Sequence, residues 1–199
     1  GMFGRKESRR GLTLKKLKAE PHGLDLGPLK PVLPWRIYRE SKRINMAPFI
    51  LLKDEKRLKK YLKKKIGEDD LNLIGRRNIR NNNSWLHNSE RLMKGKERCT
   101  LLMHPEDAKK RGVIHGEMVK VTSATGSIQI HLEVTENILK GVVSIPHGFG
   151  HDKEGVKLKV ATKFHGASIN DLTSDLERDE VSGNAAFNTT KVKVHSLET

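Results

Sequence analysis

Short segments with the pattern of β-strands fill the second half of the chain and limit the folds open to it. Five segments have the length of a strand, and most alternate apolar with polar residues: CTLLMH (99–104), EMVKVTSA (117–124), SIQIHLEVT (127–135), ILKGVVSIPH (138–147) and TKVKVHS (190–196). Thr125 and Gly126 provide a turn between the second and third segments. Strands this short, with turn signals at close spacing, predict a small closed β-barrel rather than a doubly wound parallel sheet.

Two segments are predicted to be helical. PEDAKKRG (105–112) has Pro105 at the first helical position, acids in the first turn, bases in the last turn and Gly112 as the stop. LKDEKRLKKYLKKKIG (52–67) places apolar residues at roughly helical spacing among lysines, and Gly67 is expected to end it. The fold class is therefore mainly β with short helices. The basic helix is interpreted either as a solvated helix face or as a contact for nucleic acid or lipid.

Basic residues are concentrated in the first third of the chain. Residues 1–70 hold 20 Lys and Arg against 9 Asp and Glu, net +11, whereas residues 71–199 hold 19 against 15, net +4. Residues 1–20 show no apolar period and are expected to be flexible. PHGLDLGPLKPVLP (21–34), with four of the seven prolines, should be extended. We therefore expect a basic, extended and partly flexible N-terminal segment over 1–70, containing one helix, followed by a β-barrel over 71–199.

The net charge of +15 and the pI near 10.0 favour an anionic partner, which nucleic acid, a membrane surface or a phosphate-bearing ligand would all provide. The aromatic content of 5% is low for a protein that stacks single-stranded bases on rings. Because Cys99 is the only cysteine, an intrachain disulfide and a cysteine cluster for zinc or iron–sulfur are excluded. The chain starts without an apolar signal region and has no run of about 18 apolar residues, so it is expected to be soluble, and cytoplasmic if expressed as this chain.

The stretch LIGRRNIRNNNSWLHN (73–88) is unusually polar for the middle of a chain and holds the first candidate ligand-binding residues. Gly75 lets the backbone come close to a ligand, and Arg76 and Arg77 carry forked donors that suit phosphate oxygens. Asn82, Asn83 and Ser84 can contact the polar edges of a heterocycle, because an amide is both donor and acceptor. Trp85 can pack beside a planar ring, and His87 can donate a hydrogen bond to a ligand oxygen. The alternative is a polar loop whose asparagine and serine side chains satisfy their own backbone.

Several motifs in a consistent order connect the sequence to a known family. The run CTLLMHPEDAKKRGVIHGEMVKVTSATGSIQIHLEVTENILKGVVSIPHGFGH resembles the C-terminal domain of the molybdopterin oxidoreductases of the dimethyl sulfoxide reductase class, with its His-Pro-x-Asp-Ala, Ser-x-x-Gly and Pro-His-Gly motifs. LIGRRNIRNNNSWLHN resembles the first strand and loop of that domain, PHGLDLGPL its lead-in, and INDLTSD and SGNAAFNTTKVKV its closing segments. The resemblance implies a double-psi β-barrel that binds molybdopterin guanine dinucleotide, with Mo or W carried by the complete enzyme.

The resemblance also implies cofactor-binding residues outside the polar stretch. In the family, the IPHGFGH segment presents a polar residue towards the pterin, the asparagine of SINDLTSD meets the pterin, and the late SGN loop lies near the cofactor. The matching positions here are His147, Gly148, Asn170, Asp171, Gly183 and Asn184. A structural histidine and an Asx turn are the alternatives for His147 and Asp171. His104 and Asp107 are expected to cap the short helix, and Cys99 to belong to the core.

Complete enzymes of this class are much longer and carry the metal ligand and most of the substrate funnel ahead of the matched part. The expected function is therefore a C-terminal cofactor-binding domain, as a fragment or a separate subunit, whose partners are the remaining domains or subunits. No catalytic or metal-ligating residue, nucleic-acid partner or membrane segment is expected. Alone, the chain should bind free cofactor weakly and should not turn over substrate. A stand-alone β-barrel assembly module and a basic nucleic-acid-binding protein are the alternatives.

Overall fold

Six strands close into a barrel in the C-terminal part of the chain. The computed structural model describes residues 12–63, 67 and 69–197, which divide into two units, one up to Phe49 and one from Ile50. The strands are β1 Leu71–Arg76, β2 Thr100–Met103, β3 Met118–Thr122, β4 Ser127–Val134, β5 Val142–Pro146 and β6 Lys191–Ser196. They close in the order β1-β5-β2-β4-β3-β6. The predicted mainly β barrel is confirmed.

Two parallel strand pairs give the barrel its topology. β1 runs parallel to β5, with Gly75 opposite Ile145, and β2 runs parallel to β4, with Leu101 opposite Leu132. The pairs β1–β6, β2–β5, β3–β4 and β3–β6 are antiparallel. Each parallel pair requires a long connection between its strands. This interleaved barrel is the double-psi fold that the resemblance implies.

Apolar residues at alternating strand positions fill the barrel. On β4, Ile128, Ile130 and Leu132 are buried while Gln129 and His131 are exposed, which is the period of a strand with one face on a core. The other strands contribute side chains that are almost fully enclosed: Leu71, Leu73, Leu101, Met103, Val119, Val121, Val143, Ile145, Val192 and Val194. The alternation that predicts the strands from the sequence therefore also builds the core.

Five short α-helices occur in the described chain: α1 Leu14–Ala19, α2 Phe49–Lys53, α3 Glu55–Leu62, α4 Glu90–Met93 and α5 Pro105–Arg111. The sequence predicts no regular structure over 1–20, yet α1 forms there because Thr13 caps it by accepting the backbone N–H of Lys16 at 3.2 Å. Residues 1–11 lie outside the described part of the chain. Residues 21–48 contain neither helix nor strand. Within the described ranges, no helix has both the length and the apolar character needed to cross a membrane.

A turn at Asp54 replaces the single helix predicted over 52–67 by α2 and α3. The backbone N–H of Asp54 donates to the carbonyl of Leu51, three residues earlier, at 3.1 Å. This turn ends α2. The Asp54 carboxylate binds Arg57 at 2.6 Å and places negative charge at the start of α3, where it is favourable. Residues 64–66 of the predicted helix lie outside the described residues.

The predicted helix after β2 is confirmed as α5. His104 caps it, since its Nδ1 accepts the backbone N–H of Glu106 at 3.2 Å, and Gly112 ends it in the left-handed conformation with φ 64°. The prediction that Asp107 caps the helix is wrong. The Asp107 carboxylate accepts the backbone N–H of Gly141 at 2.7 Å and so ties α5 to the turn before β5.

One end of the barrel collects the long loops. Because β1 and β5 are parallel and finish side by side, the segments that follow them leave the barrel at the same end. We call these segments the β1 loop (77–89) and the β5 loop (147–168). The segment before β6 reaches this end too, where Oδ1 of Asn188 accepts the backbone N–H of Gly75 at 3.1 Å. Most of the polar residues singled out by the sequence lie on these segments.

Candidate functional site

A polar cluster joins the β1 loop to the β5 loop. Nη1 of Arg77 contacts Oδ1 of Asn83 and Nε2 of His147, the latter at 3.0 Å. Burial, followed by the positive charge of Arg77, lowers the pKa of His147, which keeps the imidazole neutral and able to accept. Arg77 and Asn83 are exposed and His147 is half-buried. We call these three residues the rim cluster; the structure brings them together from two loops, and all three are candidates from the sequence.

Gly148 allows the two loops to meet backbone to backbone. Its φ is +93°, and a Cβ placed there would overlap the carbonyl oxygen of Asn83 and lie 2.7 Å from the carbonyl carbon. The backbone nitrogen of Ser84 would be 3.2 Å away. No side chain fits here unless the loops move apart. The sequence marks Gly148 as a ligand-facing residue, but the contact that requires a glycine is the one with Asn83.

His87 lies inside the protein rather than on the polar surface of the β1 loop. Its side chain is 0% exposed, and its Nδ1 is 2.7 Å from Nε2 of His151. Its ring packs on Phe149 with 4.4 Å between the ring centroids. Burial, followed by the charges of His151, Arg98 and His147, lowers the pKa of His87 to about 4. The sequence predicts that His87 donates a hydrogen bond to a ligand. In the structure His87 is instead a buried, neutral imidazole that is hydrogen-bonded to His151.

Acidification should weaken the fold through these histidines. The pKa of His87 is about 4 in the folded chain against an ordinary 6.5, and the pKa values of His147 and His151 are lowered as well. Between pH 6.5 and about 4 the unfolded chain binds protons that the folded chain does not. The free energy of unfolding should therefore fall as the pH decreases through this window. Urea unfolding at a series of pH values from about 7 to about 4.5 measures the fall.

Two histidine variants identify the source of this pH dependence. His87→Asn removes the enclosed imidazole and should make the profile shallower, and the slope that remains comes from His147 and His151. His195→Asn removes an exposed histidine on β6 and should leave the profile of the wild type unchanged. A free energy of unfolding that stays constant across the window in the wild type would contradict the burial of a neutral His87.

The β1 loop presents a row of polar side chains. Asn82 and Asn83 have left-handed φ values of +42° and +64°, a region that asparagine tolerates better than most residues. Trp85 is 82% exposed. Of the side chains of Asn82, Asn83 and Ser84, that of Asn83 alone has a hydrogen-bond partner in the described part of the chain, and the partner is Arg77. These three side chains therefore do not form hydrogen bonds with the loop's own backbone, as the alternative interpretation of a self-satisfied polar loop requires.

The Arg76 side chain is hydrogen-bonded to neighbouring strands of the barrel. Its Nη2 donates to the carbonyl oxygen and the hydroxyl of Thr100 at 2.7 and 2.9 Å, and its Nη1 donates to the carbonyl of Ser144. The guanidinium thus bridges β1, β2 and β5. Burial lowers its pKa, and the negative charge of Glu133 opposes that shift. In this structure Arg76 holds strands together, and the exposed guanidinium of the arginine pair belongs to Arg77.

Gly75 lies at the exposed end of β1 with space beside its α-carbon. A Cβ there would meet Oδ1 of Asn188 and Cδ1 of Ile169 at 3.8 Å, which is ordinary contact. Packing does not require a glycine at this position.

Two site residues were not predicted from the sequence: Asn188, which accepts the Gly75 N–H, and His151, which is hydrogen-bonded to His87. Each lies inside a motif already noted, SGNAAFNTTKVKV and IPHGFGH, but no spacing rule marks it.

Asn170 and Asp171 take different roles although they are neighbours. Both lie in the 3₁₀ turn Ile169–Asp171, where Asn170 is exposed. The Asp171 carboxylate binds Lys153 of the β5 loop at 2.7 Å. Its carbonyl oxygen lies against Gly126, where an added Cβ would approach it to 2.7 Å. Asp171 thus packs against the β3–β4 turn and forms an ion pair with the β5 loop, whereas Asn170 presents its side chain at the surface.

Gly183 and Asn184 lie in a separate turn organised by Asp179. The Asp179 carboxylate accepts the backbone N–H of Ser182 at 2.7 Å, and its own N–H donates to the carbonyl of Asn184 at 2.7 Å. Arg57 of α3 binds the same carboxylate at 2.8 Å. The Ser182 N–H, followed by Arg57, holds the pKa of Asp179 well below its usual range. Among the described residues, no hydrogen bond links this turn to the rim cluster.

Cys99 is a core residue, as predicted. It is 4% exposed, and its Sγ accepts the backbone N–H of Ala167 at 3.2 Å. Burial raises the pKa of the thiol to about 11, so the thiolate that binds metals is disfavoured. In the parts of the chain that the structure describes, no group of three or more His, Cys, Asp or Glu side chains is arranged to hold a metal ion.

The barrel region matches a known protein family. Residues 71–191, more than half of the chain, match the family described as the molydopterin dinucleotide binding domain. The chain belongs to this family. Relatives include the arsenate respiratory reductase molybdopterin-containing subunit ArrA of Chrysiogenes arsenatis, 34% identical over 112 residues. The dimethyl sulfoxide/trimethylamine N-oxide reductase of Rhodobacter capsulatus is 34% identical over 84 residues. The resemblance stated from the sequence, with molybdopterin guanine dinucleotide as the cofactor of the family, is confirmed.

In its relatives the molydopterin dinucleotide binding domain is a small part of a longer protein. The alignment with the arsenate reductase subunit covers 54% of this chain and 13% of the relative, and that with the dimethyl sulfoxide reductase covers 42% and 10%. Among solved structures, acetylene hydratase from Pelobacter acetylenicus has a TM-score of 0.53 at 22% identity, and the match covers 73% of this chain and 20% of that chain. At that identity the likeness shows the fold alone.

Proposed function

We propose that the chain is the cofactor-binding domain of a molybdopterin oxidoreductase, and that its loop-bearing barrel end contacts molybdopterin guanine dinucleotide. The observation that carries this proposal is the rim cluster. Arg77, Asn83 and His147 come from two loops far apart in the sequence and meet at an accessible surface. All three lie within the region matched by the dinucleotide-binding family.

The donor set of the barrel end fits such a ligand. Arg77 offers an exposed guanidinium of the kind that grips phosphate oxygens. Asn82 and Ser84 present polar side chains that suit the edges of pterin or guanine, and the exposed indole of Trp85 offers a flat apolar face. When bound, the cofactor supplies the metal-centred redox chemistry of a complete enzyme. The residues of this chain grip and orient it.

Two further residues extend the contacting surface. Because packing leaves room at Gly75, the glycine suits a close approach of ligand to backbone, and Asn170 adds an exposed amide. We assign supporting roles to candidates whose groups are already engaged within the fold: Arg76, His87, Gly148 and Asp171. Contacts from Gly183 and Asn184 stay predictions that rest on the family resemblance.

We infer that the barrel supplies one side of the cofactor site and that other domains or subunits supply the rest. The chain spans 13% and 10% of the two relatives described above, so most of each relative lies outside the matched region. A domain that makes only part of the contacts binds free cofactor weakly and does not turn over substrate. The cofactor-binding part begins at residue 71, where the family match begins, and the basic segment over 1–70 precedes it.

Substitution of Arg77 tests the ligand site. Arg77→Gln should weaken binding of molybdopterin guanine dinucleotide about tenfold or more, because a hydrogen bond to a charged group contributes about 1.5–3 kcal/mol. Titration calorimetry with cofactor extracted from a molybdenum enzyme measures the change.

The control for this substitution is Lys120→Gln. It removes the same charge from an exposed position on β3 and should leave the affinity unchanged. If Arg77→Gln and the wild type bind equally well, the ligand does not use the rim cluster. Tight cofactor binding or substrate turnover by the chain alone would contradict the one-sided site.

The nucleic-acid alternative has less support from the structure. On α3, Arg57 is paired with Asp54 and Asp179, and Lys59 is paired with Glu55. Part of the positive charge of this helix is therefore balanced within the chain. Binding to nucleic acid that depends on the lysines of α3 and falls steeply with salt would favour this function instead.

A further inference from the structure

We propose that His87 and His151 are positioning residues, whose hydrogen bond joins the β1 loop to the β5 loop and holds the rim cluster in one arrangement. This inference rests on the proposed function, because it concerns the same barrel end. The two residues are 64 positions apart in the sequence, and Nδ1 of His87 is 2.7 Å from Nε2 of His151. We call this pair the histidine bridge.

The histidine bridge is placed where it controls the rim cluster. His87 follows Asn83 by four residues, and His151 follows His147 by four residues. Between these points Gly148 lies against the backbone of Asn83, too close for any side chain. The two loops are thus joined at the rim cluster, the backbone contact, the bridge and the side chain of Asn88, whose Oδ1 accepts the backbone N–H groups of Val160 at 2.9 Å and Ala161 at 3.4 Å. The Asn88 bonds reach a later part of the β5 loop, so release of the bridge leaves the exposed cluster and one van der Waals contact to hold residues 83–87 against 147–151.

Ring packing encloses the bridge. The His87 ring lies 4.4 Å from Phe149 in a tilted arrangement and 4.9 Å from His151 edge-on. Because His87 is 0% exposed, water cannot replace a lost hydrogen bond while the loops stay closed. A buried polar group without its partner is costly. Loss of the bond should therefore drive the loops apart rather than leave them in place.

The bridge requires one proton between the two facing nitrogens. Burial lowers the pKa of His151, whereas the Gly148 backbone favours a proton on its ring. Because Nε2 faces His87, that proton lies on Nδ1. In this arrangement Nδ1–H of His87 donates and Nε2 of His151 accepts. Nε2 of His87 has no partner within the described ranges, so no competing bond turns the ring away from the bridge.

The charged neighbours of the bridge come from the β5 loop and from the segment before β2. Around His87, the charges of Arg98 and His147 oppose a further proton, as its partner histidine also does. Around His151, His165 opposes a further proton and Asp152 favours one. Burial and each of these neighbours disfavour a positive charge on His87, which keeps the donor ring of the bridge neutral.

Hydrogen exchange of the ligand-free chain tests the bridge. His87→Leu and His151→Leu should each speed amide exchange about tenfold in both loops, at residues 83–87 and 147–151, because one net hydrogen bond is lost. His87→Asn places an amide near Nδ1, and His151→Gln places one near Nε2, so both matched variants should restore protection in both loops. Unchanged protection in β4 shows that the barrel stays folded.

Two outcomes of this experiment would overturn the bridge. One is faster exchange confined to the loop that carries the substitution. The other is equal exchange in the leucine and amide variants. Should a leucine variant fail to fold, NMR of the wild type decides the point: a scalar coupling across the N–H···N bond between the two imidazoles is expected, and its absence overturns the proposal.

Cofactor titration separates the bridge from the ligand site. The leucine variants should bind extracted cofactor about tenfold more weakly, matching the loss of loop protection, whereas the amide variants should bind like the wild type. Open loops with unchanged affinity would overturn the positioning role. Coupled loop protection together with an Arg77→Gln variant that binds like the wild type would instead refute the ligand site and support the bridge as a structural link.

Discussion

Replacing Gly148 with alanine should lower the free energy of unfolding by about 3 kcal/mol and part the β1 and β5 loops. Two effects add. A φ of +93° is strained for any residue with a Cβ, and the new methyl group would overlap the carbonyl group of Asn83. The obstructing atoms belong to backbone, so they cannot swing aside as the end of a flexible side chain would. Urea unfolding measures the loss, and cofactor affinity should fall with it.

Gly155→Ala is the matched control for this substitution. Gly155 lies in the same loop with φ +85°, but no atom lies within 4 Å of an added Cβ. It should therefore lose only the strain contribution, about 1 kcal/mol. Equal losses at the two glycines would mean that the close approach to Asn83 costs nothing and that the loops are not held together there.

Arg76→Met should also cost about 3 kcal/mol of stability, because it leaves buried acceptors on two neighbouring strands without a donor. The acceptors are the carbonyl groups of Thr100 and Ser144 together with the Thr100 hydroxyl. Arg76→Lys retains the charge but lacks the fork and should recover only part of the loss. The free energy of unfolding in urea is again the measurement.

The adjacent arginine supplies the contrast. Arg77 is exposed, so Arg77→Gln should change the free energy of unfolding by no more than about 0.5 kcal/mol. The same substitution should weaken cofactor binding. If Arg76→Met were as stable as the wild type but failed to bind cofactor, Arg76 would be a direct ligand contact and the division of labour between the two arginines would be reversed.

The barrel was readable from the sequence because its signals are local. Alternation in SIQIHLEVT places Ile128, Ile130 and Leu132 on one face, and the structure buries these three. The ends of α5 follow from Pro105 and Gly112, whose backbone preferences act over one or two residues. The family resemblance added the double-psi topology, which alternation cannot supply.

The roles within the site could not be read in the same way, because they depend on distant partners. His87 looks like one more polar group in a polar loop, and only the fold shows His151 beside it. Arg76 and Arg77 look equivalent, although neighbouring residues at a strand end project to opposite sides. That alternation was the available signal that the two arginines would differ. The helix predicted over 52–67 was wrong in a different way, because apolar spacing does not reveal the turn at Asp54, whose backbone N–H bonds to the carbonyl of Leu51 and separates α2 from α3.

The parallel pairing of β1 with β5 bears on the order in which the chain folds and binds its cofactor. Strands β2, β3 and β4 lie between them in the sequence, so the rim cluster does not exist in a nascent or half-closed barrel. If the rim cluster contacts the cofactor as proposed, recognition of the cofactor follows folding, and a bound cofactor would in turn favour the closed barrel by mass action. Loading would act as a quality check, since a chain with a damaged strand would have no assembled surface to offer.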